Sequence, residues 1–150
     1  MSTAQDFGEI HDLAIALLKA TVTRAKAVEP FAGQLQDAIE GRTAQFPLLA
    51  VLFAGGSFEL IDGPSHHETN EYEVGIFAHS LKGPDELKSQ AAALIRDVKQ
   101  CLVNARLASN LEPAKPLRVR LVYADGVTQV YGFTFSVALD QRYQWPTDEA

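Results

Sequence analysis

Ser65-His66-His67-Glu68, with Asp62 and Glu71 close by, is the densest collection of metal-ligating and acid–base side chains in the sequence. Zinc or general acid–base catalysis uses these residue types, but only when the ligands converge and a supporting shell fixes each imidazole tautomer. Adjacent histidines on a strand point to opposite faces, and adjacent histidines on a loop lack rigid support. The cluster therefore reads as part of an exposed polar loop over residues 62–70, a candidate protrusion. Gly55-Gly56-Ser57 lacks the downstream Gly-Lys-Ser/Thr of a phosphate-binding loop and the flanking Gly-x-Ser-x-Gly of a nucleophile elbow, so it reads as a turn between two strands. His11 and His79 stand alone. Cys101 lies among Val98, Leu102 and Val103 in a helical pattern with no neighbouring base, the setting of a buried core thiol. No catalytic residue, cofactor or metal is expected.

Around these residues the sequence lays out a helix, a short helix, three strands, a long helix and two strands. Ile10, Leu13, Leu17, Thr21 and Val28 recur near helical spacing, with Leu18 widening the stripe, and predict a helix over residues 5–28 that Pro30 stops. Thr3 with Asp6, or Asp6 with Glu9, would cap it. After an extended piece over 30–33, Leu35 and Ile39 suggest a short helix over 34–45. The apolar run 48–54, bounded by Pro47 and Gly55, predicts a central strand, followed by strands over 57–61 and 72–80. Gly83-Pro84 opens the strongest helix, over 84–107, with Leu87, Ala91, Leu94, Ile95, Val98 and Leu102 on one face. Strands over 117–124 and 127–139 meet at Asp125-Gly126, a hairpin dipeptide. In the last of them Tyr131, Phe133, Phe135, Val137 and Leu139 share a face. The expected fold is α+β, a mainly antiparallel sheet of about five strands with two long helices packed on one face. Residues 1–140 form one domain in this reading. Residues 141–150 form a tail in which Trp145-Pro146 could become ordered on assembly.

The chain of 150 residues, 47% hydrophobic, has the length and apolar content for one core. Its formal charge of −6 argues against a nucleic-acid partner, which needs a basic surface. No apolar run approaches the ~18 residues of a membrane helix, and the first ten residues lack the pattern of a signal peptide, so no membrane partner is expected and the cytoplasm is. Charge is unevenly placed. Residues 43–81 contain no Lys or Arg and carry Glu59, Asp62, Glu68, Glu71 and Glu73, whereas residues 82–120 are rich in basic side chains, among them Lys82, Lys88, Arg118 and Arg120. Patches of opposite sign on one subunit suit head-to-tail contacts between copies. Together with His66, His67 and Trp145, these residues are the candidate protein interface.

Residues 45–56, Gln-Phe-Pro-Leu-Leu-Ala-Val-Leu-Phe-Ala-Gly-Gly, preceded by a long helix and by Pro-Phe-Ala-Gly-Gln-Leu, resemble the tail terminator (head–tail joining) proteins of Mu-like bacteriophages and prophages. The later order of strand pair, long helix and C-terminal hairpin ending in Tyr131-Gly-Phe-Thr-Phe is similar too. The resemblance implies a structural virion protein that assembles in the host cytoplasm as a ring, a hexamer by expectation. That ring would cap the tail tube and sheath and offer the docking surface for the neck and head at the head–tail junction. It carries over no catalytic residue. A small enzyme or ligand-binding domain with a site scattered through the sequence, or a non-viral adaptor that uses a sheet edge, are the alternative readings.

Overall fold

A computed structural model of the chain describes residues 3–42 and 45–142. Asp6 opens helix α1 (Phe7–Thr21): its side chain accepts a hydrogen bond from the Glu9 amide at 2.9 Å, the second of the two capping arrangements legible in the sequence. Ile10, Ala14 and Leu18 form the buried centre of the helix, flanked by half-buried Leu13 and Leu17. The helix stops well short of the expected residue 28. Thr21, Val22 and Thr23 are consecutive β-branched residues, which lose rotamer freedom in a helix, and Val22 caps the end through its amide to the Leu18 carbonyl. Val28 belongs instead to a short strand, β1 (Ala27–Pro30), where it is buried.

Helix α2 (Gln34–Ile39) is also shorter than expected. A larger difference follows. The two strands expected on either side of Gly55-Gly56 are one, β2 (Leu48–Asp62), and the glycines sit inside it as a bulge in which Ala54 is the extra residue. Gly55 takes a φ of 144°, open to glycine and costly for other residues, so the dipeptide bends a strand where a turn had been expected. Gly63-Pro64 alone makes the reversal into β3 (Ser65–His79). The expected loop over 62–70 is thus a turn and a paired strand. Its polar side chains are compatible with a sheet because each pairs across to β2 and to β5 (Thr128–Arg142). The backbone of β5 continues through Gln141 and Arg142, taking the strand past the expected domain boundary at 140. Trp145 lies outside the described residues.

Helix α3 (Pro84–Leu102) begins at Pro84 as expected and ends before residue 107. Its stripe of Leu87, Ala91, Leu94, Val98 and Leu102 is buried, each leucine contributing about 1.5–3 kcal/mol by leaving water. Strand β4 (Lys115–Ala124) joins β5 through Asp125, whose carboxylate accepts from the amides of Val127 and Thr128 at 2.9 and 2.8 Å. The Tyr123 hydroxyl donates to the same carboxylate. That bond, with the two amides, holds the Asp125 pKa below its usual value.

The fold is α+β, with five strands in the order β1-β2-β3-β5-β4, antiparallel except for the β1–β2 pair. One face is covered by α1 and α3. There Tyr72, Val74 and Ile76 of β3 and Phe133, Phe135, Val137 and Leu139 of β5 form the main core. The opposite face carries a smaller cluster of Leu48, Ala50, Phe77 and Val130 beneath Ala38 of α2, with Phe31 and Leu35 beside it. Beyond that cluster the second face is open and charged.

Candidate interaction surface

Cross-strand register decides where each candidate residue points. On β3, His67, Thr69, Glu71 and Glu73 lie on the open face, and His66, Glu68, Asn70 and Tyr72 on the helix-covered face. On β4, Arg118 and Arg120 share the open face. Glu73 reaches Arg120 at 3.2 Å and Glu71 reaches Arg118 at 3.8 Å, both across the intervening β5. The pairs roof over Thr134 and Ser136, which are buried polar residues, and Gly132 makes room for one of them. A methyl group on Gly132 would sit 2.4 Å from the Glu73 carboxylate. Four of the sequence's interface candidates are thus engaged with one another inside a single chain. Such exposed pairs are worth about 0.2–1 kcal/mol each.

The histidines part as strand geometry requires. His66 lies on the covered face, 3.5 Å from Glu68 and edge-on to Phe58. Glu68 is only 8% exposed and accepts from the Asn70 amide at 3.1 Å, so its carboxylate belongs to the interior of the protein. His67 lies on the open face and donates to Asp140 at 2.7 Å. That hydrogen bond raises the His67 pKa above 6.5; burial opposes it, and the charges of Asp140, Glu112 and Glu59 add to it. A raised folded-state value means the pair stabilises the fold fully below pH 6.5 and loses that contribution as pH rises through the folded-state pKa. Titration of the His67 imidazole by NMR should therefore give a midpoint above 6.5 that falls back when Asp140 is changed to Asn. An unmoved midpoint would show that Asp140 is not the cause.

The other chemistry-bearing residues are engaged locally. The His11 ring nitrogen bonds to the Val51 carbonyl at 2.7 Å; His79 bonds to Thr128 at 3.0 Å and stacks on Phe46. Cys101 is half-buried, less enclosed than expected, and burial pushes its thiol pKa up, with a hydrogen bond from Thr21 partly offsetting. Burial likewise raises the pKa of Tyr72, whose hydroxyl donates to the Phe7 carbonyl at 2.9 Å. Among the described residues no group of three His, Cys, Asp or Glu side chains is placed to hold a metal ion. No helix there is long and apolar enough to cross a membrane. An apolar hollow of about 170 Å³ lies on the open face between Phe31, Leu35, Phe77 and the Glu73–Arg120 pair. It is smaller than the ~300 Å³ at which small-molecule sites begin, whereas two hollows beside Arg24 among the helices, of about 360 and 390 Å³, are larger.

What the protein does expose is apolar strand. Phe58, Leu60 and Ile61 of distal β2 are 69%, 82% and 58% exposed, and Leu117, Val119 and Leu121 of β4 are 47%, 42% and 55% exposed. Neither group was singled out in the sequence. The signal for the second was its alternation, Arg118-Val119-Arg120-Leu121, with apolar residues on one face and cations on the other. Both groups lie on sheet edges. β1 pairs only with Leu48 to Val51, so the outer side of β2 has no strand partner beyond Val51 among the described residues, and β4 ends the sheet on the other side. Glu59 and Asp62 sit on the first edge; Lys115, Arg118 and Arg120 sit on the second. Lys82 and Lys88 are exposed at the start of α3, where the chain has left β3 at the end opposite the Gly63-Pro64 turn. With β3 roughly 50 Å long at about 3.3 Å per residue, these lysines are remote from the acidic tip. No protein-family model matches this chain, and no curated protein matches it.

Proposed function

We propose that this protein is a structural subunit of a phage virion, a tail terminator that closes into a ring and joins tail to head. The observation that carries this reading is the unlikeness of the two sheet edges. The β2 edge beyond Val51, apolar with Glu59 and Asp62, and the β4 edge, apolar with Lys115 and the Glu-paired Arg118 and Arg120, lie on opposite sides of the sheet. Two different complementary surfaces on one subunit favour a heterologous contact, which generates a ring when the subunit rotation closes. A self-complementary patch would instead stop at a dimer. Small polar side chains and intrachain ion pairs on the open face add support, since they offer a surface for neighbours rather than a shaped cavity for a substrate. The resemblance of residues 45–56 and of the later element order to Mu-like tail terminators supports the choice of this assembly. In this reading one face of the ring, expected to be a hexamer, meets the last layer of tail tube and sheath. The other face meets the neck.

The test is the mass of the protein in solution together with negative-stain imaging, alone and with tail-tube protein from the same genome. Six-fold rings, free or seated on tube ends, are the expected result. A monomer that caps no tubes at low or high salt overturns the reading.

A further inference from the structure

We infer that successive copies join by main-chain pairing, the β4 edge of one subunit adding to the free β2 edge of the next. The inference rests on the ring reading above and gives it a specific contact. Strand directions permit it: β2 and β5 run one way and β3 and β4 the other, so copies related by a rotation about an axis roughly along the strands bring β4 antiparallel to the neighbouring β2. Faces match as well. Phe58 and Leu60 pair with Glu68 and His66, which puts them on the helix-covered side of the sheet; Val119 and Leu121 pair with Phe133 and Tyr131 on that same side. Glu59 pairs with His67 on the open side, where Arg118 and Arg120 also lie.

A continuous sheet would therefore set apolar beside apolar, and the Glu59 carboxylate beside the Arg120 guanidinium, which would bridge it to Glu73, 3.2 Å away in its own chain. The bulges narrow the choice of register. On β4 they fall at Leu117 and Val122, leaving residues 118–121 regular; on β2 they fall at Ala54 and Ile61, leaving residues 55–60 regular. Setting Val119 opposite Leu60 places Arg120 opposite Glu59 and Leu121 opposite Phe58, all within those regular stretches. Cross-strand pairs of these kinds favour association, and the exposed main-chain groups of both edges gain partners. A slip of one residue would face cations with apolar side chains.

A disulfide placed across the contact tests this. Directly opposed antiparallel residues lie about 4.5–5.5 Å apart at Cα, within disulfide reach. Leu60→Cys and Val119→Cys would be combined in a Cys101→Ser background and oxidised mildly. Each single variant and an offset pair, Leu60→Cys with Arg118→Cys, serve as controls, and circular dichroism checks folding. All three engineered positions are exposed, so the core is spared. A ladder of covalent trimers and larger species, ending at one closed size and weak or missing in the controls, is the expected result. A ladder without a closing size supports the edge contact and overturns the ring. Rings in micrographs without a ladder overturn the edge contact and leave the ring. Absence of both overturns both.

Discussion

Replacing Phe135 by alanine should destabilise the fold by about 3–5 kcal/mol, a large part of the ~5–15 kcal/mol that holds a domain together. Phe135 is fully buried and stacks on Tyr72 at 5.4 Å between ring centres. Tyr72 packs against Phe53, Phe53 stacks on Phe7 at 4.3 Å, and the Tyr72 hydroxyl bonds the Phe7 carbonyl. This aromatic chain ties the start of α1 to the middle of the sheet, so the cavity left by the missing ring would loosen the docking of that helix as well. Denaturant unfolding should show the loss as a lowered midpoint. Val119→Ala on the same sheet but on an exposed position should cost no more than about 0.5 kcal/mol. Equal losses at the two positions would show that burial is not what makes Phe135 matter.

Asn70→Ala is expected to cost about 2–3 kcal/mol, because it leaves the enclosed Glu68 carboxylate without its amide donor. Asn70 is 2% exposed and also lies over Gly56, where a methyl group would stand 2.6 Å from its side-chain oxygen. The residue thus has two roles: it solvates a buried charge and fills the space above a glycine. A double-mutant cycle separates them. In a Glu68→Leu background the electrostatic part vanishes, and most of the loss on changing Asn70 should vanish with it. A loss of the same size in both backgrounds would assign the cost to packing over Gly56 alone.

Much of this arrangement is legible in the sequence where one physical signal dominates. The α3 stripe, the Asp125-Gly126 hairpin and the alternating aromatics of β5 each follow from a strong local pattern, and the α+β class follows from their order. Local patterns mislead where tertiary contacts decide. Val28 fits a helical repeat with Thr21, yet the gain from burying it on a parallel strand beside β2 outweighs helix continuation through three β-branched residues. Gly55-Gly56 carries the composition of a turn, but a bulge in a long strand uses the same conformational freedom. Residues 65–70 look like loop because they are polar; their strand character depends on partners in β5 roughly 70 residues away, and cross-strand packing rather than intrinsic propensity sets it. The candidate charges were legible as types, but their pairing was not. Glu73 finds Arg120 only because β5 lies between them with a glycine at the crossing point. The exposed apolar edges escaped notice because Leu60 or Val119 in isolation looks like any core residue.

The bulges that bracket residues 118–121 bear on solubility during synthesis. A long flat edge with three exposed aliphatic residues would recruit any passing strand and seed cross-β aggregation. Interrupted on both sides, and guarded by Pro116 and by cations on alternate positions, the edge offers only a short template. A pairing confined to these four residues would be a small contact beside the ~1,200 Å² of a lasting protein pair, so two chance-met copies would separate again. In the proposed ring, the last contact would form between ends already held together, at a high effective concentration. Growth of such a ring would have a threshold and a natural end: short arcs would dissolve, closed circles would persist, and fibres would not be favoured.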